Sequence, residues 1–260
     1  MSLLVVKNLG KSFGGVKAVD GIDFSVGAGE LLALIGPNGA GKSTTFNMVN
    51  GQLRADRGSV HLGGHELIGL RPREVWRLGV GRTFQIAETF QSLTVCENVQ
   101  MALISADQQL FSFFKRATYY ALDRALELLT LVGMRDQAQR ACSELAYADV
   151  KRVELAIALA NSPRLLLMDE PTAGMAPGER NALMALTKKL VTDQGIAVLF
   201  TEHSMDVVFA HADRIIVLAR GRLIAEGSAN EIRENPKVQE VYFGTGKTFE
   251  KAQTKTQSTA

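Results

Sequence analysis

The stretch GPNGAGKST at residues 36–44 decides the fold, because it fits the pattern G-x-x-x-x-G-K-[ST] at every fixed position. Its glycines allow the backbone to curl until successive N–H groups point into one hollow. A buried strand, ELLALI at residues 30–35, precedes the loop and a helical segment follows it. The hollow therefore lies at a helix N-terminus, which attracts anions. We expect Lys42 to reach the β- and γ-phosphates of a bound nucleotide and Ser43 to ligate Mg²⁺.

A second segment, LLLMDEP at residues 165–171, is the expected companion of this loop. An apolar strand that ends in Asp169 places a carboxylate at the carboxyl edge of the sheet, beside the phosphate loop. Asp169 can hold Mg²⁺ through water, and Glu170 can accept a proton from an attacking water molecule. Such an ending alone is more often an ordinary strand end, and it gains its meaning from the phosphate loop in the same chain.

Apolar strands alternate with helical patterns around these two segments. Strands are predicted for LLVV (3–6), IDFSV (22–26), SVHL (59–62), RLLLMDE (164–170) and IAVLFTEH (196–203), and a hairpin for DRIIVLARGRLIAEG (213–227) with its turn at Arg220 and Gly221. A helix over 178–195 turns Leu183, Leu186 and Leu190 inward. This alternation predicts an α/β fold with a mainly parallel sheet.

The middle of the chain changes to helical spacing. Residues 108–133 carry Leu122, Ala125, Leu126 and Leu129 on one stripe, and LAYADVKRVELAIALA (145–160) carries Leu145, Val153, Ile157 and Ala160 on another, with charge from Lys151 and Arg152. We therefore predict a helical insert at 88–160 within a discontinuous α/β core formed by 1–87 and 161–243. The polar residues 244–260 are expected to form a flexible tail.

The composition excludes several classes of protein. A net charge of +2 over 260 residues gives no general attraction to nucleic acid. The two cysteines, Cys96 and Cys142, lack metal-ligand spacing and are expected to be free thiols in a reducing compartment. No apolar run approaches the roughly 18 residues that would span a bilayer, and the first residues do not resemble a signal peptide. We expect a cytoplasmic protein.

Taken together, these motifs resemble the nucleotide-binding subunits of ABC transporters, from about residue 3 to 243 and in the family's order. The resemblance implies a P-loop NTPase (RecA-like) core with an N-terminal antiparallel β subdomain, and ATP and Mg²⁺ as cofactors. It makes Gln85 of RTFQ the metal and coupling glutamine, places His203 of TEH near the γ-phosphate, and stacks Phe13 of KSFGG on adenine. The loop residues implied to bind nucleotide are Gly36, Asn38, Gly39, Ala40, Gly41, Lys42, Ser43 and Thr44.

Within this family, LAYADVKRVELAIALA and DEPTAGMAP are most similar to the ATPase subunits of branched-chain amino acid importers. That resemblance implies a second ATPase subunit and integral membrane permease subunits as partners. It places the chain on the cytoplasmic face of the inner membrane and implies no nucleic-acid partner. The alternatives are the ATPase of another transport system, such as lipid or lipopolysaccharide export, a non-transport ABC ATPase, or a weakly hydrolysing nucleotide-switch module.

By the same resemblance LAYAD is the signature motif, which contacts the γ-phosphate of ATP bound to the partner subunit. Its residues are Leu145, Ala146, Tyr147, Ala148 and Asp149. Ala148 replaces the usual glycine, which we expect to create a steric and backbone problem, and Asp149 adds a negative charge near an anion. Met175 and Ala176 also depart from the family pattern, and Ala176 cannot make the usual hydrogen bond across the dimer.

These departures support two hypotheses that the sequence does not separate. In the first, the signature of this chain forms a weaker second ATP site, while its own nucleotide is hydrolysed against a partner with an intact signature. In the second, the substitutions are neutral drift. For docking on the permease, the candidates are QIAETFQSLTV (85–95) and the aromatic residues Phe111, Phe113 and Phe114, although core packing of the insert is the favoured explanation of these aromatic residues.

Overall fold

The computed structural model describes residues 2–83, 89–106 and 121–243 of the chain. Within these ranges the strands are β1 (Ser2–Phe13), β2 (Val16–Gly27), β3 (Leu31–Ile35), β4 (Arg57–Leu62), β5 (His65–Glu66), β6 (Val80–Thr83), β7 (Leu165–Asp169), β8 (Ala197–Thr201), β9 (Arg214–Ala219) and β10 (Arg222–Gly227). The helices are α1 (Lys42–Val49), α2 (Pro72–Arg77), α3 (Val95–Ala106), α4 (Leu122–Leu131), α5 (Tyr147–Leu159), α6 (Pro177–Gln194), α7 (Met205–His211), α8 (Ala229–Glu234) and α9 (Pro236–Phe243). Predicted features on residues 84–88, 107–120 and 244–260 lie outside the described chain.

The first sheet is antiparallel, with strand order β2-β1-β4-β5. It confirms the N-terminal β subdomain, but β1 and β2 are each 12 residues long and were predicted far too short. Register shifts in their pairing, one of them between Val6 and Leu9, interrupt the alternation of apolar and polar residues. Bulges of this kind hide the second half of a strand from a period-two pattern.

The second sheet has the order β10-β9-β3-β8-β7-β6 and is parallel except for β10. All five residues of its central strand β3 are buried, as its unbroken apolar sequence predicts. The β9–β10 hairpin turns at Arg220 and Gly221, whose φ angles of 48° and 76° suit a two-residue hairpin turn. Because parallel strands end at one edge, β3, β7 and β8 deliver the following loops to a common site.

Two apolar clusters lie on opposite faces of this sheet. Leu31, Ala33 and Ile35 of β3 pack with the cluster that includes helices α3 to α6. Leu32 and Leu34 pack with the cluster of the antiparallel sheet and α1. The α/β fold class predicted from the sequence is thus confirmed. Within the described ranges, each helix is too short or too polar to span a bilayer.

The helical region between β6 and β7 agrees only in part with its sequence pattern. In α4, Ala125 and Leu129 are buried as expected. Helix α5 begins at Tyr147, so Leu145 precedes it and does not extend its stripe. The ammonium of Lys151, one of the two positive charges of this helix, is buried and lies 3.1 Å from the Glu154 carboxylate. The division into a core and an insert at 88–160 stays a prediction.

Candidate active site

The phosphate loop connects β3 to α1. At two of its glycines a side chain would clash with neighbouring backbone. A Cβ on Gly36 would lie 2.2 Å from the Leu218 carbonyl oxygen, and one on Gly41 would lie 2.4 Å from the Ala18 carbonyl oxygen. Gly39 has a φ of 77°, yet a Cβ there would meet nothing within 4 Å. The loop is therefore packed tightly against its neighbours at both ends and open at its middle, where a ligand can approach the backbone.

Lys42 is the first residue of α1, and its side chain curls back over the loop. Its ammonium donates hydrogen bonds to the carbonyl oxygens of Gly36 at 2.7 Å and Pro37 at 3.2 Å. Burial lowers the pKa of Lys42, and the nearby carboxylates of Glu170 and Asp169 oppose that shift. The loop and both predicted carboxylates therefore lie close enough for their charges to interact. A triphosphate in the loop would offer the ammonium stronger, anionic acceptors.

Asp169 ends β7 and is held by Thr201, the last residue of β8. The parallel register pairs these two residues, and the Thr201 hydroxyl donates a 2.8 Å hydrogen bond to Asp169. The same hydroxyl accepts the backbone N–H of Glu170 at 3.0 Å. Thr201 is fully buried, so both carboxylate residues are positioned by one solvent-free hydroxyl.

Arg82 of β6 approaches Asp169 from the other side, with 3.6 Å between guanidinium and carboxylate. It also donates hydrogen bonds to Asn47 at 3.0 Å and Gln52 at 2.7 Å. Burial lowers the pKa of Arg82, while the Asp169 charge opposes the shift. The arginine thus links the helix that follows the phosphate loop to the strand that carries Asp169.

Glu170 and His203 meet directly, as their assignment to one catalytic site requires. The Nε2 atom of His203 lies 2.8 Å from Oε1 of Glu170. Glu170 has a φ of 48°, a left-handed conformation that is unusual outside glycine. Its N–H is bound by Thr201, and its carbonyl accepts the N–H of Ala173 at 3.1 Å. These contacts fix a strained backbone at the residue proposed from the sequence as the base.

A buried carboxylate that sequence reasoning missed ties the two catalytic loops together. Glu202 is 3% exposed, and it accepts hydrogen bonds from the N–H of Thr172 at 2.9 Å and from its hydroxyl at 2.6 Å. Its second oxygen accepts the His203 N–H at 3.1 Å. The available signal was a charged residue directly after a buried strand, which indicates a specific partner.

The other predicted nucleotide contacts lie around the loop mouth. Phe13 ends β1 and is 52% exposed, so its ring offers an open surface for stacking. Asn38 and Ser43 are exposed, Thr44 is half-buried and Ala40 is buried. Gln85 lies outside the described residues. Ser43 and Asp169 supply the oxygen donors that Mg²⁺ prefers. Among the described residues, no group of three or more His, Cys, Asp or Glu side chains could hold a metal ion.

The residues predicted to form the signature motif lie at the start of α5, with Ala146 as the residue that precedes the helix. Tyr147 is 45% exposed. The predicted backbone problem at Ala148 is wrong, because this residue is helical with a negative φ and its methyl group packs against the apolar cluster. Asp149 lies in the first turn and is half-buried.

The two departures after β7 differ in their surroundings. Met175 is 4% exposed and belongs to the apolar cluster beside the sheet, so its substitution concerns packing within this chain. Ala176 is exposed and precedes α6, where its N–H donates to Glu179 at 3.0 Å. Of these two residues, only Ala176 is exposed.

Comparison with known proteins places these features in a family. A family model described as "ABC transporter" matches residues 19–173, and one described as "Branched-chain amino acid ATP-binding cassette transporter" matches residues 222–248. The chain is 39% identical over 252 residues to the high-affinity branched-chain amino acid transport ATP-binding protein LivG of Salmonella typhimurium, which covers 93% of this chain and 98% of that protein. It is 34% identical over 253 residues to the probable LivG of Methanocaldococcus jannaschii, covering 94% and 98%.

Solved structures agree with the sequence relatives. The ADP conformation of MJ1267, an ATP-binding cassette of an ABC transporter, superposes with a TM-score of 0.84 at 32% identity and covers 94% of this chain and 99% of that one. A dimeric post-hydrolysis state of the cassette MJ0796 bound to ADP and Pi has a TM-score of 0.72 at 26% identity, covering 87% and 98%. The chain belongs to the ABC transporter family, in which it is an ATP-binding cassette whose ATPase activity is coupled to transport.

Proposed function

We propose that this chain is an ATPase subunit of an importer for branched-chain amino acids and acts on the cytoplasmic face of the inner membrane. The observation that carries the ATPase assignment is the convergence of Lys42, Asp169, Glu170 and His203 at one sheet edge. The solute is proposed from the relatives, whose names specify branched-chain amino acid transport.

The residues divide the reaction between binding and proton transfer. Lys42 exchanges its two carbonyl acceptors for the β- and γ-phosphates, and the open middle of the loop presents backbone N–H groups to the same oxygens. Glu170 accepts the proton of the attacking water, and His203 holds the Glu170 carboxylate in place. Ser43 and Asp169, together with Gln85 by the family resemblance, would hold Mg²⁺, which would neutralise charge on the transferring phosphate.

Thr201 gives a test of this positioning. Thr201→Val removes the hydroxyl that binds both Asp169 and the Glu170 N–H while keeping the side-chain shape. We expect kcat for ATP hydrolysis to fall about tenfold, since the loss of a buried hydrogen bond costs about 1.4 kcal/mol. The measurement is steady-state phosphate release at saturating Mg²⁺ and ATP.

Thr187→Val is the matched control, because it removes an equally buried hydroxyl that donates to Leu183 within α6. Its ATPase rate should stay within twofold of the parent chain. Equal rates for the two variants would show that the Thr201 hydroxyl does not position the site.

A second ATPase subunit is proposed to close over the nucleotide. The dimeric cassette structure supports this arrangement. Tyr147 of the predicted signature motif and Ala176 are both exposed, so a partner subunit could contact them. The permease is proposed to dock on the region that follows β6, where Phe90 is 59% exposed and Met101 of α3 is 39% exposed.

We also propose that the two ATP sites of the dimer are unequal. The residue that supports this proposal is Asp149, not Ala148. Ala148 packs into its own helix without strain, whereas Asp149 adds a negative charge in the first turn of α5, the part of the predicted signature motif that would meet the partner's nucleotide. A negative side chain near a phosphate repels it electrostatically. This repulsion weakens the site that the signature of this chain completes.

Restoring the family residues tests the asymmetry. In the reconstituted complex, Asp149→Gln is expected to raise ATP turnover several-fold, and Ala148→Gly alone to leave it within twofold. The pair separates charge from backbone effects on the same helix turn. Flat turnover in both single variants and in the double variant would establish neutral drift instead.

The transport assignment is tested with the whole complex in proteoliposomes. The chain, its partner ATPase, the permeases and a solute-binding protein should take up labelled leucine, isoleucine or valine only when ATP is enclosed. A panel of lipids and other amino acids serves as the comparison. Uptake or export of a different solute would show that the chain serves another transport system. ATP binding with negligible hydrolysis would favour the nucleotide-switch module.

A further inference from the structure

The turn between β1 and β2 presents two apolar side chains to solvent. Phe13, whose ring is predicted to stack on adenine, is 52% exposed. Val16, its partner in the strand register, is 69% exposed. Together they form an apolar surface at one end of the antiparallel sheet, and a flat group such as a nucleobase can cover it.

The strand that follows this turn lies directly on the phosphate loop. A Cβ on Gly41 would lie 2.4 Å from the Ala18 carbonyl oxygen of β2, and a Cβ on Gly221, in the β9–β10 turn, would lie 2.9 Å from the same oxygen. Ala18 is two residues after Val16, which is about 7 Å along a strand. The placement of β2 therefore sets the distance between the predicted base contact and the loop predicted to bind phosphate.

Asp20 attaches β2 to the core sheet. Its N–H donates a 2.8 Å hydrogen bond to the Gly221 carbonyl, and the Gly221 N–H donates to the Ala40 carbonyl of the phosphate loop at 3.0 Å. The Asp20 side chain is only 9% exposed, and its Oδ2 accepts hydrogen bonds from Nη2 and Nε of Arg222 at 2.8 and 3.1 Å. Backbone and side chain of one residue thus join β2 to the hairpin that contacts the loop.

Arg57 holds the same carboxylate from within the antiparallel sheet. Its Nη2 donates to Oδ1 of Asp20 at 2.6 Å. Strand β1 lies between β2 and β4, and its Gly10 pairs with both Asp20 and Arg57. A Cβ on Gly10 would lie 2.6 Å from Nε of Arg57, so the arginine crosses β1 where a side chain would obstruct it. Each oxygen of Asp20 is thereby bound by an arginine from a different sheet.

We propose that Asp20 is a positioning residue for nucleotide binding, which holds the antiparallel sheet on the core so that Phe13 meets the base of a nucleotide whose phosphates lie in the loop. The inference rests on the proposed function, in which this loop binds ATP. Charge-assisted hydrogen bonds are short and directional, so two arginines on one carboxylate fix the relative placement of the two sheets. A base contact that is already in place adds affinity, because less order has to be created on binding.

The experiment measures Kd by equilibrium titration for two ligands, MgATP and inorganic tripolyphosphate with Mg²⁺, which carries phosphates without a base. Asp20→Asn keeps the size of the side chain and the backbone link to Gly221 but removes the charge. We expect its Kd for MgATP to rise roughly three- to tenfold, and its Kd for tripolyphosphate to stay within twofold. Arg222→Ala should give the same pattern. Its side chain is 70% exposed, so the variant is expected to fold.

Phe13→Ala shows whether Asp20 acts through the ring. Alone, it should weaken MgATP and spare tripolyphosphate. Adding Asp20→Asn to it should weaken MgATP by less than twofold more, because residues that act through one contact are not additive.

Glu30→Gln is the matched control. Its carboxylate accepts hydrogen bonds from Arg214 at 2.7 and 3.1 Å, and Arg214 also donates to the Ser25 carbonyl of β2 at 2.6 Å. This link joins the same strand to the core at the start of β9, the edge of the sheet opposite the loop. Both Kd values of Glu30→Gln should stay within twofold of the parent chain.

The proposal is overturned if Asp20→Asn and Arg222→Ala bind MgATP like the parent chain, or if they weaken tripolyphosphate as much as MgATP. It is also overturned if the effects of Asp20→Asn and Phe13→Ala add in full, or if Glu30→Gln matches Asp20→Asn. A parent chain that fails to bind MgATP would instead overturn the proposed function.

Discussion

Lys42→Ala is expected to lower kcat/KM for ATP hydrolysis by at least about 10²–10³-fold, the loss that follows removal of one preorganised donor to a developing charge. The ammonium is buried beneath the loop and already oriented by the Gly36 and Pro37 carbonyls. Alanine leaves the loop backbone in place but provides no positive charge for the β- and γ-phosphates. Phosphate release across a range of ATP concentrations gives kcat and KM separately.

Lys188→Ala is the control for this substitution. Lys188 pairs with Asp213, whose second oxygen accepts the N–H of Leu31 at the start of β3, the opposite edge of the sheet from the loop. This variant should hydrolyse ATP at the parental rate. Parental activity in the Lys42→Ala chain would show that the Lys42 ammonium does not act on the β- and γ-phosphates.

Glu170→Gln is expected to reduce single-turnover ATP cleavage by about 10²–10⁴-fold, the range that general-base catalysis contributes. The amide oxygen can still accept a hydrogen bond from His203, so the geometry around the 2.8 Å contact should persist. The amide cannot accept a proton from water. Nucleotide binding and closure onto the second ATPase subunit should therefore continue, and ATP-bound dimers should accumulate.

The measurement combines acid-quenched single turnovers with size-exclusion chromatography in MgATP. Glu231→Gln is the matched control, because this carboxylate caps α8 through Ser228 and lies in the C-terminal segment, outside the catalytic cluster. Cleavage at a near-normal rate in Glu170→Gln would remove Glu170 as the base. Loss of ATP-dependent dimers in that variant would show that Glu170 is needed for the two subunits to close.

Local sequence was sufficient for the features that depend on few neighbours. The phosphate loop, the buried strands β3, β7 and β8, and the β9–β10 turn each carry their own signal in pattern or turn chemistry. The meeting of Glu170 with His203 was accessible through the resemblance, since strand ends of a parallel sheet share an edge. Those parts of the site required no knowledge of side-chain packing.

Features that depend on pairing across the fold escaped prediction. The bridge from Thr201 to Asp169 follows from the strand register, which no single segment encodes. Burial of Lys151 depends on the neighbouring Glu154 and on the helices packed around both.

The buried carboxylate of Glu202 joins two loops of the site into one rigid unit. It holds Thr172, from the loop after Glu170, together with His203, from the loop after β8. Hydrogen bonds to a charged group contribute about 1.5–3 kcal/mol each, so separating the two loops costs several kilocalories per mole. We therefore expect Glu170, the proposed proton acceptor, and His203 to move together if the cassettes close. In that case the Glu170–His203 contact would not have to form anew in each cycle, and the conformational change would occur in the segments around it.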